Sequence, residues 1–199
     1  MEKNMATLLN LGAGHLPILN AVNIDTMPFP EVDYVMDIND IDKHYARDSI
    51  DGIYMLHVLE HLPNPYEFIG KCWDVLKKGG FLYIQVPHSS GVIGIGDFGH
   101  YRTFNYSSLS DYLCNDTYIS KGKLWRCERQ EIHWYKINNN KHPYIKFKVK
   151  TDESIFSPYI YWVDKIITWF INLSPQAFER GWWWLVGGAD EVIWIGRKI

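Results

Sequence analysis

Residues 8–14, LLNLGAG, decide the fold: a short apolar run passes directly into Gly12, Ala13 and Gly14. Such a run is typical of a buried strand, and the two glycines let the backbone turn tightly and approach a ligand closely. Backbone N–H groups that follow a turn of this kind can bind an anionic group. Gly-x-Gly is also common in ordinary turns, so both a ligand-binding turn and a plain turn are consistent with the motif alone.

Outward from this stretch, short apolar runs alternate with helix-like segments. The first half of the chain contains five predicted strands, at residues 7–11, 21–24, 34–36, 52–55 and 81–86. Apolar residues recur at three- and four-residue steps after Pro65, which predicts a helix that Gly79 and Gly80 end. This alternation is typical of an α/β fold in which helices cover a parallel sheet.

The second half has a different rhythm. Residues 87–99 form a Gly-, Ser- and His-rich loop of the kind that carries a site or a lid, and residues 106–113 are predicted as a helix capped by Ser107 or Ser108. Strand-like segments follow, at residues 123–136, 144–150 and 191–197. The polar residues 138–140 are predicted as the turn between the first two.

Asp25 ends the second apolar run, where a carboxylate can accept hydrogen bonds from both hydroxyls of a ribose. Only 13 positions separate it from Gly12, against about 20 in the usual dinucleotide-binding unit. Pro17 further limits any helix between them. The first crossover is therefore predicted as a single turn or an irregular loop, and a role for Asp25 in merely starting a loop stays open.

Composition bounds the class of protein. The chain has 199 residues, 47% of them hydrophobic, which predicts one domain over residues 1–199. Its formal net charge of -3 gives no overall positive field that would attract nucleic acid. Its three cysteines lack metal-ligand spacing, as is typical of a reduced, cytoplasmic protein. The N-terminus does not read as a signal peptide, and no apolar segment predicts a transmembrane span.

Two longer motifs complete the pattern, SIDGIYMLHVLEHL at residues 49–62 and VLKKGGFLYIQVP at residues 75–87. With LLNLGAG and Asp25 before them, they resemble the class I S-adenosylmethionine-dependent methyltransferases. DFGHYRTF, at residues 97–104, resembles a DPxHxRxFT segment of uncharacterised members, and residues 191–198 resemble their closing strand. The resemblance is closest over residues 6–113, the cofactor-binding half, and residues 114–199 form a C-terminal half with an aromatic-rich insertion.

The resemblance implies a Rossmann-like three-layer sandwich. Its mostly parallel seven-stranded sheet has the order 3-2-1-4-5-7-6 with the last strand antiparallel, and its first crossover helix is shortened. The implied activity is methyl transfer from S-adenosyl-L-methionine to an O or N atom of a small-molecule or glycan acceptor.

The resemblance implies a cofactor site at the strand ends, with the glycine turn under the methionine part and Asp25 on the ribose. Asp37 and Ile38 would border the adenine, and Leu56 and His57 would flank the sulfonium. The residues of the implied site are Asn10, Gly12, Ala13, Gly14, Asp25, Asp37, Ile38, Leu56 and His57. Two positions depart from the family pattern, since Asn10 replaces a common acid and Lys78 replaces the usual proline.

Methyl transfer from a sulfonium is an in-line displacement, so alignment of the reacting atoms supplies much of the rate. His57 and His100 are candidate bases or acceptor-positioning residues, because histidine titrates near neutral pH. Tyr101 and Arg102 share the loop of His100 and are predicted to contact substrate or cofactor. The structural alternatives are a hydrogen-bonding histidine at a helix start and an arginine–carboxylate pair that pins the loop.

His57, Glu60 and His61 also form a His-x-x-Glu-His pattern like that of inverted zinc proteases. It is similar to an ExxEH segment with which some ubiquinone-pathway O-methyltransferases hold a divalent ion. The histidine in place of the first Glu argues against a hard-cation site and leaves a mixed His/Glu site open. The preferred prediction is no metal, with Glu60 and His61 holding neighbouring groups.

Other function classes remain as alternatives. Residues 56–59, LHVL, stand where base-modifying amino-methyltransferases carry an Asn/Asp-Pro-Pro-aromatic motif, so a nucleic-acid acceptor is not favoured. A non-catalytic protein that binds S-adenosylmethionine or a nucleoside, and an aminopropyl transferase, are the rival hypotheses.

Tryptophan is concentrated near the C-terminus. Six of the nine lie beyond residue 158: Trp162, Trp169, Trp182, Trp183, Trp184 and Trp194. Apolar residues at helical spacing predict an amphipathic helix over residues 159–173. Core packing, an apolar acceptor wall, a homodimer seam and a membrane-surface contact are the roles considered for it.

Overall fold

The computed structural model describes residues 6–135, 142, 144–148, 158–182 and 188–199. The strands are β1 Leu8–Leu11, β2 Val22–Asp25, β3 Tyr34–Val35, β4 Ile50–Leu56, β5 Leu76–Pro87, β6 Trp125–His133 and β7 Glu191–Lys198. The α-helices are α1 Ile41–His44, α2 Pro65–Val75, α3 Val92–Gly96, α4 Tyr106–Leu113, α5 Pro158–Leu173 and α6 Pro175–Ala177. Short 3-10 helices cover Ile38–Asp40 and Leu59–His61, and a π-helical turn covers Phe178–Trp182.

All seven strands join one sheet in the order β3-β2-β1-β4-β5-β7-β6. The first five strands pair in parallel, and β7 pairs antiparallel with both β5 and β6. The predicted fold class and strand order are confirmed. Since parallel strands end at one edge of the sheet, the residues after β1 to β4 meet there, and antiparallel β7 begins at the same edge.

The first crossover, residues 12–21, consists of turns, which confirms the prediction of an abbreviated connection. Two buried asparagines, paired across β1 and β2, hold it. The Asn10 side-chain amide donates to Asn23 Oδ1 at 2.9 Å and to the carbonyl of Leu16 at 3.1 Å. Asn23 Oδ1 accepts from the N–H of Ile18 at 2.7 Å. These amides satisfy buried backbone groups that would otherwise lack partners.

One face of the sheet carries the main core. Helix α2 buries Phe68, Ile69, Cys72 and Val75 against it, as the periodicity predicts. Helix α4 begins at the predicted residue, but its cap is Asn105 rather than Ser107 or Ser108. The Asn105 carboxamide accepts from the N–H of Ser108, and the Ser108 hydroxyl accepts from the N–H of Asn105. The reciprocal pair is a capping box, and the capping residue lies two positions before Ser107 and three before Ser108.

The opposite face is covered largely by the first crossover and residues 144–148. Ile18 and Ile145 pack there with Tyr83 and Ile193. The predicted strand over residues 144–150 is wrong for the described residues: they make a single bridge, between Phe147 and Ile18, and β6 pairs with β7 instead. Apolar and lysine residues alternate here because Ile145 and Phe147 pack on the sheet while Lys146 and Lys148 are exposed. The predicted turn at residues 138–140 lies outside the described residues.

The end of α2 also differs from the prediction. The helix stops at Val75, and Leu76 already belongs to β5, where it pairs with Ile50. Residues 77–80 then bulge before Phe81 pairs with Gly52. Gly79 has a φ of 77°, a left-handed conformation that glycine adopts without strain. The glycines therefore shape a bulge inside the strand rather than a helix end.

Helix α5 confirms the predicted helix near the C-terminus. Ile171 is buried beside β6, but Trp162, Ile166 and Trp169 are 66%, 65% and 65% exposed. Of the remaining tryptophans, Trp194 is buried with its ring centroid 6.0 Å from that of Trp125. Trp183 and Trp184 lie outside the described residues. A homodimer seam or membrane-surface contact for α5 stays a prediction, and no helix in the described ranges has the length and hydropathy to cross a membrane.

Candidate functional site

The glycine turn follows β1 and lies against the segment that follows β4. Gly12 and Gly14 have φ values of 69° and 48°. A Cβ on Gly12 would lie 2.5 Å from Val58 Cγ2, so a side chain has no room there. The N–H of Ala13 donates to the carbonyl of Ile24 at 2.9 Å, which ties the turn to β2.

Asp25 connects the glycine turn to the end of β2. Its Oδ2 accepts from the N–H of Gly14 at 2.8 Å, and its Oδ1 accepts from the N–H of Met27 at 2.9 Å. The carboxylate therefore stands at hydrogen-bonding distance from the turn, at the edge where the sequence predicts a ribose.

The remaining cofactor candidates continue along this edge. Asp37 accepts from the N–H of Asn39 at 2.9 Å and caps the 3-10 helix after β3, and Ile38 is buried in the main core. Leu56 ends β4 and is buried on the opposite face. Asn10 differs from the others, because its side chain holds the crossover. The structure thus brings the other predicted cofactor positions together at the ends of four neighbouring strands.

His57 follows β4 with a φ of 54°, a conformation that non-glycine residues seldom adopt. Its Nε2 lies 2.9 Å from Glu191 Oε1, and its Nδ1 lies 3.4 Å from Glu60 Oε1. Burial alone lowers the pKa of His57, but the carboxylates of Glu191 and Glu60 outweigh it and raise the pKa from 6.5 to about 10. The side chain is thus an imidazolium at neutral pH and has no lone pair with which to accept a proton.

A cavity of about 200 Å³ opens beside His57. Its walls combine histidines, carboxylates and one proline: His57, Glu60, His61, Pro87, Asp97, His100, Asp190 and Glu191. They come from the segment after β4, the end of β5, the following loop and the start of β7.

The loop after β5 is anchored to the segment after β4. The N–H of Tyr101 donates to the carbonyl of Glu60 at 2.8 Å, and the Arg102 guanidinium donates to the carbonyl of Pro63 at 2.6 Å. Arg102 therefore pins the loop through a backbone carbonyl rather than through the carboxylate that the structural alternative assumed. Tyr101 keeps an exposed side chain. His100 lines the cavity, so the loop contributes that predicted residue to its wall.

Sequence reasoning missed two acids, Glu191 at the start of β7 and Asp190 just before it. Asp190 and Glu191 line the cavity although they lie in the last stretch of the chain. A signal was present: an acid opens a predicted strand, and an antiparallel strand in this fold begins at the edge where the parallel strands end.

His142 is a buried histidine that lies against β5. His142 Nδ1 lies 3.2 Å from the N–H nitrogen of Tyr144 and 3.1 Å from that of Ile145, and it accepts from both. Its Nε2 therefore carries the proton and lies 3.1 Å from Gln85 Oε1. Burial lowers the pKa of His142 to about 4. The neutral imidazole fastens residues 144–148 to β5.

Comparison with known proteins bears on the same region. The family model described as "Methyltransferase domain" matches residues 17–84. "Ubiquinone biosynthesis O-methyltransferase" of Shewanella halifaxensis is 28% identical over 89 residues, which are 43% of this chain and 36% of that protein. The chain thus matches little more than a third of that curated relative.

Solved structures are similar over almost the entire chain. A SAM dependent methyltransferase from Archaeoglobus fulgidus has a TM-score of 0.59 at 16% identity, covering 98% of this chain and 87% of that one. A putative methyltransferase from Bacillus halodurans has a TM-score of 0.54 at 14% identity, covering 98% and 93% of the two chains. At these identities the likeness establishes the fold.

Proposed function

We propose that this chain, whose fold and family match are those of a class I S-adenosylmethionine-dependent methyltransferase, transfers a methyl group to a small-molecule or glycan acceptor. The family-model match over residues 17–84 and the fold support the resemblance on which the prediction rests. The same findings support S-adenosyl-L-methionine as the cofactor.

The observation that carries the proposal is the junction of the glycine turn with the cavity. Gly12 lies directly against Val58, the neighbour of His57, and His57 lines the cavity. A cofactor over the glycine turn would place its sulfonium end toward β4, with the acceptor in the cavity. Two substrate positions that meet at one strand end suit an in-line displacement.

In this proposal the cofactor supplies the electrophilic methyl group and the protein supplies alignment. Gly12 and Gly14 leave room for the methionine part, and Asp25 accepts from the ribose hydroxyls. Asp37 and Ile38 border the adenine. The segment of Leu56 and His57 faces the sulfonium.

His57 acts as an acceptor-positioning residue in this proposal. Its Nε2 donates to Glu191 at 2.9 Å, so the Nδ1 proton, 3.4 Å from Glu60, is the one that an acceptor oxygen can accept, and the imidazolium has no lone pair with which to remove a proton. His100, from the loop after β5, is the remaining candidate base.

The acceptor is proposed to be a small molecule or a sugar-containing glycan. A cavity of about 200 Å³ holds the reacting end of such a molecule, and its four carboxylates disfavour the phosphates of nucleic acid. The name of the Shewanella relative specifies an O-methyltransferase and supports an oxygen acceptor.

Calorimetry with S-adenosylmethionine and S-adenosylhomocysteine tests the cofactor site. We expect both to bind, and Asp25→Asn to weaken both at least about tenfold because a carboxylate is the stronger acceptor for two hydroxyls. Asp111→Asn, on the exposed side of α4, is the matched control and keeps the affinity. Absence of binding at millimolar concentration by the unaltered protein overturns the proposal.

A screen of hydroxyl- and amine-bearing acceptors, read by mass spectrometry, tests transfer itself. A gain of one methyl group supports the proposal. A protein that binds both forms of the cofactor but methylates nothing across the screen supports the non-catalytic binder instead.

A further inference from the structure

We propose that Glu60, His61 and His100 form a binding site for a divalent transition-metal ion of the zinc type. One ligand atom from each of the three side chains lies within 4.8 Å of the other two. A tetrahedral zinc ion with bonds of about 2.0–2.2 Å would hold its ligand atoms about 3.4 Å apart, so these side chains must rotate inward to bind it.

The carboxylate of Glu60 is the observation that points to a cation. Glu60 is 1% exposed, and neither carboxylate oxygen has a hydrogen-bond partner in the described part of the chain. His57 Nδ1 lies 3.4 Å from Oε1, farther than the roughly 2.7–2.9 Å of a charge-assisted hydrogen bond. The charge of His57 offsets part of the cost of this burial, but the imidazole does not bond either carboxylate oxygen closely, and a metal ion would bind them directly.

The two histidines direct Nδ1 to backbone carbonyls, and His100 Nε2 lies 3.7 Å from Asp97 Oδ2 in the wall of the cavity. His61 Nδ1 lies 3.1 Å from the carbonyl oxygen of Gly99, and His100 Nδ1 lies 3.5 Å from that of Gly94. A carbonyl only accepts, so each Nδ1 carries the proton and each Nε2 keeps its lone pair. Metal-binding histidines are commonly oriented by such a bond from the second nitrogen. The two ring centroids are 4.8 Å apart.

The backbone brings the ligands together without a metal. Glu60 and His61 are consecutive in the 3-10 helix Leu59–His61, whereas His100 belongs to the loop after β5. The bond from the N–H of Tyr101 to the carbonyl of Glu60 fastens that loop beside the helix. The geometry replaces one member of the His-x-x-Glu-His pattern: His57 is directed to Glu191, and His100 takes its place.

The donor set decides the kind of metal. Two imidazoles and one carboxylate match zinc sites that keep a fourth position open, and imidazole nitrogen favours zinc, cobalt or nickel over magnesium and calcium. The three ligands line the cavity assigned above to the acceptor, and with the ion bound His100 is a ligand and no longer the candidate base. Only this link to the acceptor rests on the proposed function.

Titration of chelator-treated full-length protein with Co²⁺ and with Zn²⁺ tests the inference. We expect a visible absorption band with Co²⁺, displacement of Co²⁺ by Zn²⁺, and a stoichiometry of one ion for each chain. His100→Ala and the near-isosteric Glu60→Gln are each expected to weaken Zn²⁺ at least about tenfold by calorimetry, since each removes one of three ligands. His44→Ala, an exposed histidine of α1, is the control and leaves the affinity unchanged.

Three results overturn the proposal: no Zn²⁺ binding at micromolar concentration, a Zn²⁺ affinity in His100→Ala and Glu60→Gln equal to that of the unaltered protein, or a preference for Mg²⁺. Circular dichroism of each variant separates loss of the site from loss of the fold, and Glu60→Gln keeps the test available if His100→Ala does not fold. S-adenosylhomocysteine binding is measured in the same samples. Cofactor binding without metal rejects this inference alone, and metal binding without cofactor rejects the proposed function alone.

Discussion

Glu191 and His57 lie 134 positions apart in the chain, yet Glu191 Oε1 is 2.9 Å from His57 Nε2. Glu191 opens β7, and its backbone pairs with Pro87 at the end of β5. His57 follows β4 in a left-handed conformation. The contact joins the last strand to the proposed site, so the C-terminal part of the chain completes the wall of the cavity.

Glu191→Gln tests the strength of that contact. The substitution keeps the shape of the side chain and removes its charge, which leaves the imidazolium with one carboxylate neighbour. We expect the free energy of unfolding to fall by about 2 kcal/mol, toward the lower range for a buried pair that loses one partner. Urea unfolding at neutral pH measures it.

Glu128→Gln is the control for this measurement, because Glu128 pairs with Arg197 at a more exposed position. Exposed pairs contribute about 0–1 kcal/mol. Equal losses in the two variants contradict a special contribution from Glu191.

Substitutions of His57 separate backbone strain from side-chain contacts. With a φ of 54°, an alanine at this position costs about 1–2 kcal/mol that glycine avoids. We therefore expect His57→Gly to be more stable than His57→Ala by about 1 kcal/mol. Thermal unfolding of the two proteins, which both lack the imidazole, measures the difference.

The control is the same pair of substitutions, Asp111→Gly and Asp111→Ala, within helix α4, where the expected order of stability is reversed. There Ala is better than Gly by about 1 kcal/mol. If Ala is also the better residue at position 57, the left-handed conformation is not required by the fold.

Gly12→Ala addresses the close approach of the glycine turn to Val58. The new Cβ would meet Val58 Cγ2 at 2.5 Å, in addition to the strain of a φ of 69°. We expect a loss of stability of about 2–5 kcal/mol, the sum of left-handed strain and overpacking, and loss of measurable S-adenosylhomocysteine binding. Urea unfolding and calorimetry measure the two effects.

Gly79→Ala isolates the backbone contribution. Gly79 has a similar φ of 77°, but nothing lies within 4 Å of the added Cβ. This variant is expected to lose about 1–2 kcal/mol and to keep its affinity for S-adenosylhomocysteine. Similar effects of the two substitutions argue against a tight contact at Gly12.

His142 is expected to make the free energy of unfolding depend on pH. Its pKa falls from 6.5 to about 4 on folding, because burial disfavours the charged imidazole. A lowered folded pKa means that the stabilisation is complete above pH 6.5 and is lost as the pH falls toward 4. Over that window we expect this group to remove up to about 3 kcal/mol. The charge of Glu191 opposes the shift and that of His133 adds to it.

Urea unfolding of the native protein and His142→Gln at several pH values between 7 and 4 tests this expectation. The variant is less stable at neutral pH but shows a flatter decline on acidification. Glu131, whose pKa is lowered from 4.5 to about 2, acts at lower pH and is present in both proteins. Identical slopes between pH 6.5 and 5 in the two proteins contradict the assignment of this window to His142.

Local sequence accounts for much of the fold. The apolar runs that predict β1, β2 and β4 and the periodicity of α2 each report which side of a short element is buried, and burial is encoded residue by residue. The 13-residue spacing and Pro17 determine that the first crossover holds no full helix. The motifs, taken in order, carry the resemblance that implies the strand order and the edge where the predicted cofactor residues collect.

Contacts between distant segments were decided only by the tertiary structure. The partner of His57 is Glu191, residues 144–148 lie on the sheet against Ile18, and His100 joins Glu60 and His61. A pattern of hydrophobicity shows that a residue is buried but not which distant side chain it meets, because that depends on how the strands are ordered and on their direction. The sequence by itself determined the fold and the edge that carries the site; the packing of β7 and the loop after β5 decided which charges meet in it.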